Sequence, residues 1–263
     1  MGVRNRTAVV TGATSGIGAE IARVLADRGA RVAVCGRDRE RGDVVVAEIT
    51  AAGGEAVFVA YDALDPAGAG TLVAAVEEAL GPVEILVNNA GTMFFGPVAG
   101  HTPETFDTAI GINLRAPFLL TQAALPGMAD RRHGRVVFVS SNGASSGAAR
   151  TSLYAMSKAG LEGLMRALMA EFAASGITFN TVAPGLVRTP LTSTMLDDPA
   201  MQTRFAGHHP NGRVGDVRDI AHAVAMLADD NAGHVLANVL TVDGGLTRAI
   251  GYAVEEPPAD KVQ

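Results

Sequence analysis

The sequence contains no tryptophan and only one cysteine among its 263 residues. A single cysteine excludes any intramolecular disulfide. Cys35 lies in the apolar run Val32-Ala33-Val34-Cys35, which suits a small core residue better than a nucleophile. No apolar run reaches the ~18 residues that a membrane-spanning helix needs. The apolar stretch behind Arg4 and Arg6 breaks at Thr11-Gly12, too soon for a signal peptide. Met1-Gly2 is followed by arginine at position 6, where a myristoylation signal wants serine or threonine. A soluble, cytoplasmic protein without a membrane partner is therefore expected. Positive charge is also scarce. The formal net charge is −6 and the basic residues are scattered, so no stripe suited to nucleic acid forms. The histidines show no metal-ligand spacing, and adjacent residues such as His208-His209 seldom aim at one ion. No metal is expected, and that pair reads as lining a substrate entrance or as merely exposed.

What is present is alternation. Short apolar, β-branched runs at 7–11, 31–35, 55–60, 84–88, 135–140, 177–182 and 238–242 alternate with helical periodicity at about 16–28, 38–52, 67–80, 103–128, 152–175 and 216–229. Near-continuous apolar strands separated by helices predict an α/β fold with a parallel sheet covered on both faces. Seven strands make one doubly wound, Rossmann-type domain over residues 1–252. The proline-, threonine- and serine-rich stretch 186–214 interrupts the pattern and reads as a substrate loop. Residues 253–263 read as a solvated tail.

The first strand runs into Gly12-Ala13-Thr14-Ser15-Gly16-Ile17-Gly18 and a helix follows. Glycines there let the backbone approach a ligand, and the helix N-terminus offers free N–H groups to a pyrophosphate. The spacing is G-x-x-x-G-x-G, a weak signal alone but well placed in an α/β chain. At the end of the second strand, an acidic residue would bond an adenosine ribose hydroxyl. Gly36-Arg37 stands there instead, leaving room for a 2′-phosphate and a guanidinium to pair with it. NADP(H) is thus expected over NAD(H). Arg39 and Arg41 would add positive field, while Asp38 could swing in or neutralise Arg37. Asp62 follows the third strand and Asn88-Asn89-Ala90-Gly91 the fourth, both facing the same crevice. Asp62 could accept from an adenine amino group, and the asparagines could bond backbone and brace the crevice. Either could equally be ordinary turn chemistry.

Tyr154 and Lys158 lie four residues apart in a helical segment, on one face. A neighbouring cation favours the phenolate, so the pair predicts a tyrosine acidified enough to exchange protons near neutral pH. The other two tyrosines have acids at that spacing, Asp65 after Tyr61 and Glu256 after Tyr252.

With the turn at 11–18, Asn-Asn-Ala-Gly at 88–91, a serine thirteen residues before Tyr154, the Y-x-x-x-K at 154–158 and Pro184-Gly185, the chain resembles the short-chain dehydrogenase/reductase family over nearly all of residues 5–250. Its general look is closest to the 3-oxoacyl-(acyl-carrier-protein) reductases and related bacterial ketoreductases. The resemblance implies hydride transfer between NADP(H) and a ketone or secondary alcohol. Ser141 would polarise the substrate carbonyl, Tyr154 would give the proton, and Lys158 would tune Tyr154 and hold the nicotinamide ribose. Asn113 would hold a water linking the lysine to solvent. Ala63 would contact the cofactor through its backbone. The segment beginning Pro184-Gly185 would bind the cofactor and contact the nicotinamide carboxamide through the Val187 backbone and the Thr189 hydroxyl, implying pro-S transfer. Ser15 stands where NADP-preferring members often carry a basic residue, so the preference rests on Arg37. A homotetramer is implied, joined through helix pairs around 103–128 and 152–175. Its second contact would use 216–229 and the last strand.

Two alternatives remain at this stage. One is an NAD-dependent alcohol or diol dehydrogenase of the same fold. The other is a non-catalytic dinucleotide sensor, which would be expected to lack the serine, tyrosine or lysine. The small-molecule substrate is not legible. Met93, Phe94, Leu191, Met195 and Phe205 suggest an apolar component or are packing residues.

Overall fold

The computed structural model describes residues 2–249. The tail over 253–263 and the expected domain end at 252 lie outside the described residues. The elements, in order, are β1 (Thr7–Thr11), α1 (Gly16–Asp27), β2 (Arg31–Gly36), α2 (Arg39–Ala51), β3 (Glu55–Ala60), α3 (Gly68–Leu80), β4 (Val83–Asn88), α4 (Pro103–Ile110), α5 (Ala116–Asp130), β5 (Gly134–Val139), α6 (Gly143–Ser146), α7 (Ser152–Glu171), β6 (Ile177–Pro184), α8 (Ser193–Leu196), α9 (Pro199–Gly207), α10 (Val217–Leu227) and β7 (Val239–Val242). All seven strands fall within about two residues of their expected places, and every pairing is parallel.

The sheet order is β3-β2-β1-β4-β5-β6-β7. The period-two alternation of strand side chains divides the core into two layers. Ala8, Val10, Val32, Val34, Ile85 and Val87 point to the face covered by α1, α2 and α10. Val9, Ala33, Cys35 and Leu86 point to the face covered by α3, α5 and α7. Such strands must be apolar on both sides, which is why they read as continuous runs rather than alternating ones. Cys35 is fully buried and its thiol is pushed up to about 12 by that burial, in keeping with a packing role.

Helix starts follow local chemistry. Asp216 caps α10 in a reciprocal box with Asp219. Thr102 caps α4 with Pro103 in the first turn. The expected single helix over 103–128 is interrupted by a π-helical turn at Gly111–Arg115. Pro117 explains the break. It has no N–H for the Asn113 carbonyl four residues earlier, and its ring would clash with that carbonyl in a regular α-helix. The expected loop over 186–214 carries α8 and α9. It is tied at its base by a parallel bridge between Val187 and Gly215, with Arg188 N–H donating to the Gly215 carbonyl at 3.0 Å.

Candidate active site

Chain order reverses between β1 and β4, and a cleft of about 410 Å³ opens beyond their carboxyl ends. The glycine turn forms one wall. Ser15 occupies the N-cap of α1 but makes no side-chain capping bond, so the helix presents N–H groups without a capping acceptor. Gly12 and Gly16 have φ of 63° and 54°, left-handed values that disfavour other residues. A Cβ on Gly18 would stand 2.2 Å from the Gly12 carbonyl oxygen and 2.5 Å from Asn89 Nδ2. Asn89 Nδ2 donates to the Thr11 carbonyl at 2.8 Å, and Thr11 Oγ1 accepts from the N–H groups of Asn89 and Ala90. The loops after β1 and β4 are thus bolted together at the mouth.

The end of β2 forms the second wall. A Cβ on Gly36 would meet Thr14 Cγ2 at 2.7 Å. Asp38 caps α2, accepting from the Arg41 N–H at 3.0 Å and from Arg41 Nε at 2.6 Å. These bonds hold its carboxyl below its usual range, the backbone bond first. Asp38 is therefore committed to Arg41 and does not pair with Arg37. Arg37 lines the cleft without a carboxylate within ion-pair distance among the described residues. Arg39, expected to add field here, instead lies 4.8 Å over the Phe58 ring and faces Asp43. Phe58 and the acid at i+4 offer it more than open solvent does. Asp62 and Ala63 line the same side, with Asp62 Oδ1 accepting from the Leu64 N–H.

Ser141, Tyr154 and Lys158 line the cleft together, and Ser140 stands beside them. Ser141 lies two residues beyond the end of β5, and its Oγ accepts from the Gly143 N–H at 3.1 Å. The Lys158 side chain is buried, with Nζ 5.8 Å from the Tyr154 ring centroid. Nζ donates to the Val139 carbonyl at 2.8 Å. That leaves two of its three N–H donors for other acceptors. A Cβ on Gly91 would stand 3.2 Å from Nζ, so glycine keeps space open beside the amine.

The electrostatics correct the expectation of an acidified phenol. Burial pushes the Tyr154 phenol above its ordinary value, and the Ser141 hydroxyl beside it only partly opposes the rise. Burial also pulls the Lys158 amine down to about 8. The helical spacing is as expected, but loss of water around the phenol sets the direction of its shift. In this arrangement Tyr154 is a protonated acid at neutral pH.

Asn113 sits within the π turn and is fully buried. Its Oδ1 accepts from the Thr92 N–H at 2.8 Å, and its Nδ2 donates to the Thr92 carbonyl and to Ser157 Oγ, each at 2.9 Å. Ser157 Oγ donates in turn to the Tyr154 carbonyl at 2.8 Å. The side chain is thus engaged with protein groups, while the Asn113 carbonyl is the one deprived of its α-helical donor by Pro117.

Pro184, Gly185, Val187 and Thr189 line the remaining wall. Thr192, which the sequence reading missed, organises this segment. Its Oγ1 donates to the Val187 carbonyl at 2.6 Å and accepts from the Thr189 N–H at 3.0 Å. The T-x-x-T spacing after a strand was the available signal. His208 is exposed, but His209 is buried, with Nδ1 at 2.7 Å from the Phe205 carbonyl. That contact inside the loop turns His209 away from the role of lining an entrance.

The residues present fit a dinucleotide phosphate. An uncapped helix start and a cradle that added Cβ atoms would fill suit a pyrophosphate. A free guanidinium suits a 2′-phosphate, and the spare donors of Lys158 suit ribose hydroxyls.

A family model described as enoyl-(acyl carrier protein) reductase matches residues 12–247. The chain is 37% identical over 246 residues to (2S)-[(R)-hydroxy(phenyl)methyl]succinyl-CoA dehydrogenase subunit BbsD of Thauera aromatica, covering 93% of this chain and 98% of that one. It is 35% identical over 246 residues to the 3-oxoacyl-[acyl-carrier-protein] reductase FabG of Escherichia coli, covering 94% and 99%. Among solved structures, a variant of actinorhodin polyketide ketoreductase with NADPH superposes with a TM-score of 0.89 at 37% identity, covering 95% of this chain and 100% of that one. A gluconate 5-dehydrogenase from Burkholderia cenocepacia, in complex with NADP and tartrate, gives a TM-score of 0.90 at 30% identity, covering 95% and 98%. With the model match spanning most of its length, the chain belongs to the short-chain dehydrogenase/reductase family.

Proposed function

We propose that the protein is an NADP(H)-dependent oxidoreductase that reduces a ketone to a secondary alcohol, with Tyr154 as proton donor. The observation that carries this reading is the meeting of Ser141, Tyr154 and buried Lys158 in the same cleft as the glycine turn and Arg37, which has no acid partner among the described residues. NADPH, held by these residues, would supply the hydride. Ser141 Oγ donates a hydrogen bond to the substrate carbonyl oxygen, favouring the charge that develops there. Tyr154 gives its phenolic proton to that oxygen, and the Lys158 ammonium favours the phenolate left behind. Lys158 also bonds the nicotinamide ribose through the donors that Val139 does not use. Asn113 and Ser157 fix the helix turn carrying Tyr154, and the Asn113 carbonyl holds the water that returns protons towards Lys158. Arg37 pairs with the 2′-phosphate, assisted by Arg41.

Residues 1–252 act as one dinucleotide-binding and catalytic domain, with 186–214 as the substrate loop. The continuous two-layer core supports that division. A cytoplasmic location accords with the finding that no described helix is long and apolar enough to cross a membrane. A homotetramer accounts for the exposed Phe106, Phe118 and Met156 on α4, α5 and α7. Gly163 on α7 has nothing within 4 Å of its Cβ position, leaving room for a second helix. Gly160 is already filled within the chain, since a Cβ there would meet Leu114 Cδ2 at 2.9 Å.

The test is a panel of ketones, β-keto thioesters and keto acids, followed by loss of NADPH or NADH absorbance. The reading expects turnover with NADPH and a higher kcat/KM than with NADH. Consumption of NADH alone, or of neither with any carbonyl, contradicts it.

A further inference from the structure

Arg150 precedes the catalytic helix α7 by two residues and Tyr154 by four. It is exposed, yet its backbone is left-handed, with φ of 67°. Few residues with a long side chain adopt that conformation, and it persists only where neighbours enforce it. Gly96, in the loop after β4, donates its N–H to the Arg150 carbonyl at 2.9 Å and ties the two loops together. The guanidinium lies over the Phe95 ring at 5.2 Å from its centroid. The hydrogen bond and the aromatic shelf join the loop after β4 to the one before α7, and the roots of both loops, at Thr92 and Ser141, line the cleft.

Among the described residues no acid answers that cation. Residues 89–102 and 140–152 contain no aspartate or glutamate, although the chain carries a formal net charge of −6. Arg150 makes no ion pair within 4.0 Å among the described residues, whereas Arg23, Arg41 and Arg213 each have an acid. His101 adjoins the same place. Its Cε1 is 3.7 Å from the Cβ position of Gly96, and its buried Nε2 has no hydrogen-bond partner.

We propose that Arg150 recognises an oxyanion, a carboxylate or phosphate, that the carbonyl substrate carries away from its reacting carbon. The inference rests on the carbonyl-reductase reading and deepens it by naming the substrate class. Stacking on the Phe95 ring orders the guanidinium in part before the substrate arrives, which lowers the ordering cost of pairing. In a net acidic protein, such a local cation also selects anionic ligands from neutral ones.

The test compares matched substrates with NADPH. One pair is a keto acid and its methyl ester. The other is a β-keto acyl-CoA and the neutral thioester of N-acetylcysteamine. The first pair reports a carboxylate, the second a phosphate-bearing carrier. Each is measured with the unmodified enzyme, Arg150→Gly and Arg150→Lys. Glycine tolerates the left-handed backbone, so that change removes the side chain without adding strain. In at least one pair the unmodified enzyme prefers the anionic member. Arg150→Gly then lowers the anionic-to-neutral ratio of kcat/KM at least about tenfold, mainly through KM, and Arg150→Lys restores part of it. A simple dicarboxylate inhibits turnover of the neutral ketone competitively, with an inhibition constant that rises in Arg150→Gly. Equal loss for anionic and neutral members would overturn the proposal and leave the carbonyl-reductase reading standing. No turnover of any member by the unmodified enzyme would overturn both.

Discussion

Lys158 carries its charge at a cost to folding, and the cost has a pH signature. The residue is 4% exposed, and burial lowers its amine from 10.5 to about 8. A folded-state value below the unfolded one means that the folded protein holds this proton less tightly. Below about pH 8 both states are protonated and the penalty is complete; above 10.5 both are neutral and it vanishes. At about 1.4 kcal/mol per unit, the difference corresponds to about 3 kcal/mol. Lys158→Met keeps the chain length and removes the titration. The difference in unfolding free energy, variant minus unmodified, should therefore fall by about 3 kcal/mol between pH 7 and pH 10.5. Titrating groups remote from Lys158 are common to both proteins and cancel, and making the comparison in a Tyr154→Phe background removes the neighbouring phenol. The lost bond to the Val139 carbonyl shifts the whole curve without giving it slope. Since the chain has no tryptophan, urea unfolding of the cofactor-free protein is best followed by far-ultraviolet circular dichroism. A difference that stays flat with pH, or grows as pH rises, would refute the claim that Lys158 is charged against its surroundings.

In the cofactor-free protein Tyr154 should ionise at a higher pH than a free tyrosine, read as the phenolate absorbance lost in Tyr154→Phe; ionisation at a lower pH than free tyrosine would show that a neighbouring cation outweighs burial. Arg37→Ala should weaken NADPH binding about tenfold or more and leave NADH nearly unchanged, as read by equilibrium titration, because Asp38 is committed to Arg41. Equal losses for the two cofactors would remove Arg37 from the 2′-phosphate. Gly18→Ala, with a Cβ 2.2 Å from the Gly12 carbonyl, should abolish cofactor binding and lower stability by about 1–3 kcal/mol; normal cofactor affinity in that variant would contradict the packed turn.

The strands and the glycine turn were legible because their physics is local. A strand buried on both faces must be apolar throughout, and a phosphate cradle must dispense with Cβ atoms. The break at Asn113 was written in Pro117 four residues on, but helical periodicity alone runs through it. Asp38 could not be placed from the sequence, since competing with Arg37 and capping α2 use the same side chain. Its spacing to Arg41 decides for the cap only once α2 begins at Arg39. The sign of the Tyr154 shift was beyond reach for a different reason. Four-residue spacing establishes proximity, whereas the burial that raises the phenol and lowers the amine comes from the packing of the whole fold around them. Likewise His209 looked like a loop-entrance residue until the fold buried it against Phe205.

The central claim is that Tyr154 hands the proton to the substrate oxygen. Its most direct test is single-turnover carbonyl reduction by Tyr154→Phe with NADPH bound, beside the cofactor dissociation constant of the same variant. The account predicts a rate at least about a hundredfold lower, with NADPH affinity within a few fold of the unmodified protein. Hydride transfer at an undiminished rate would contradict it.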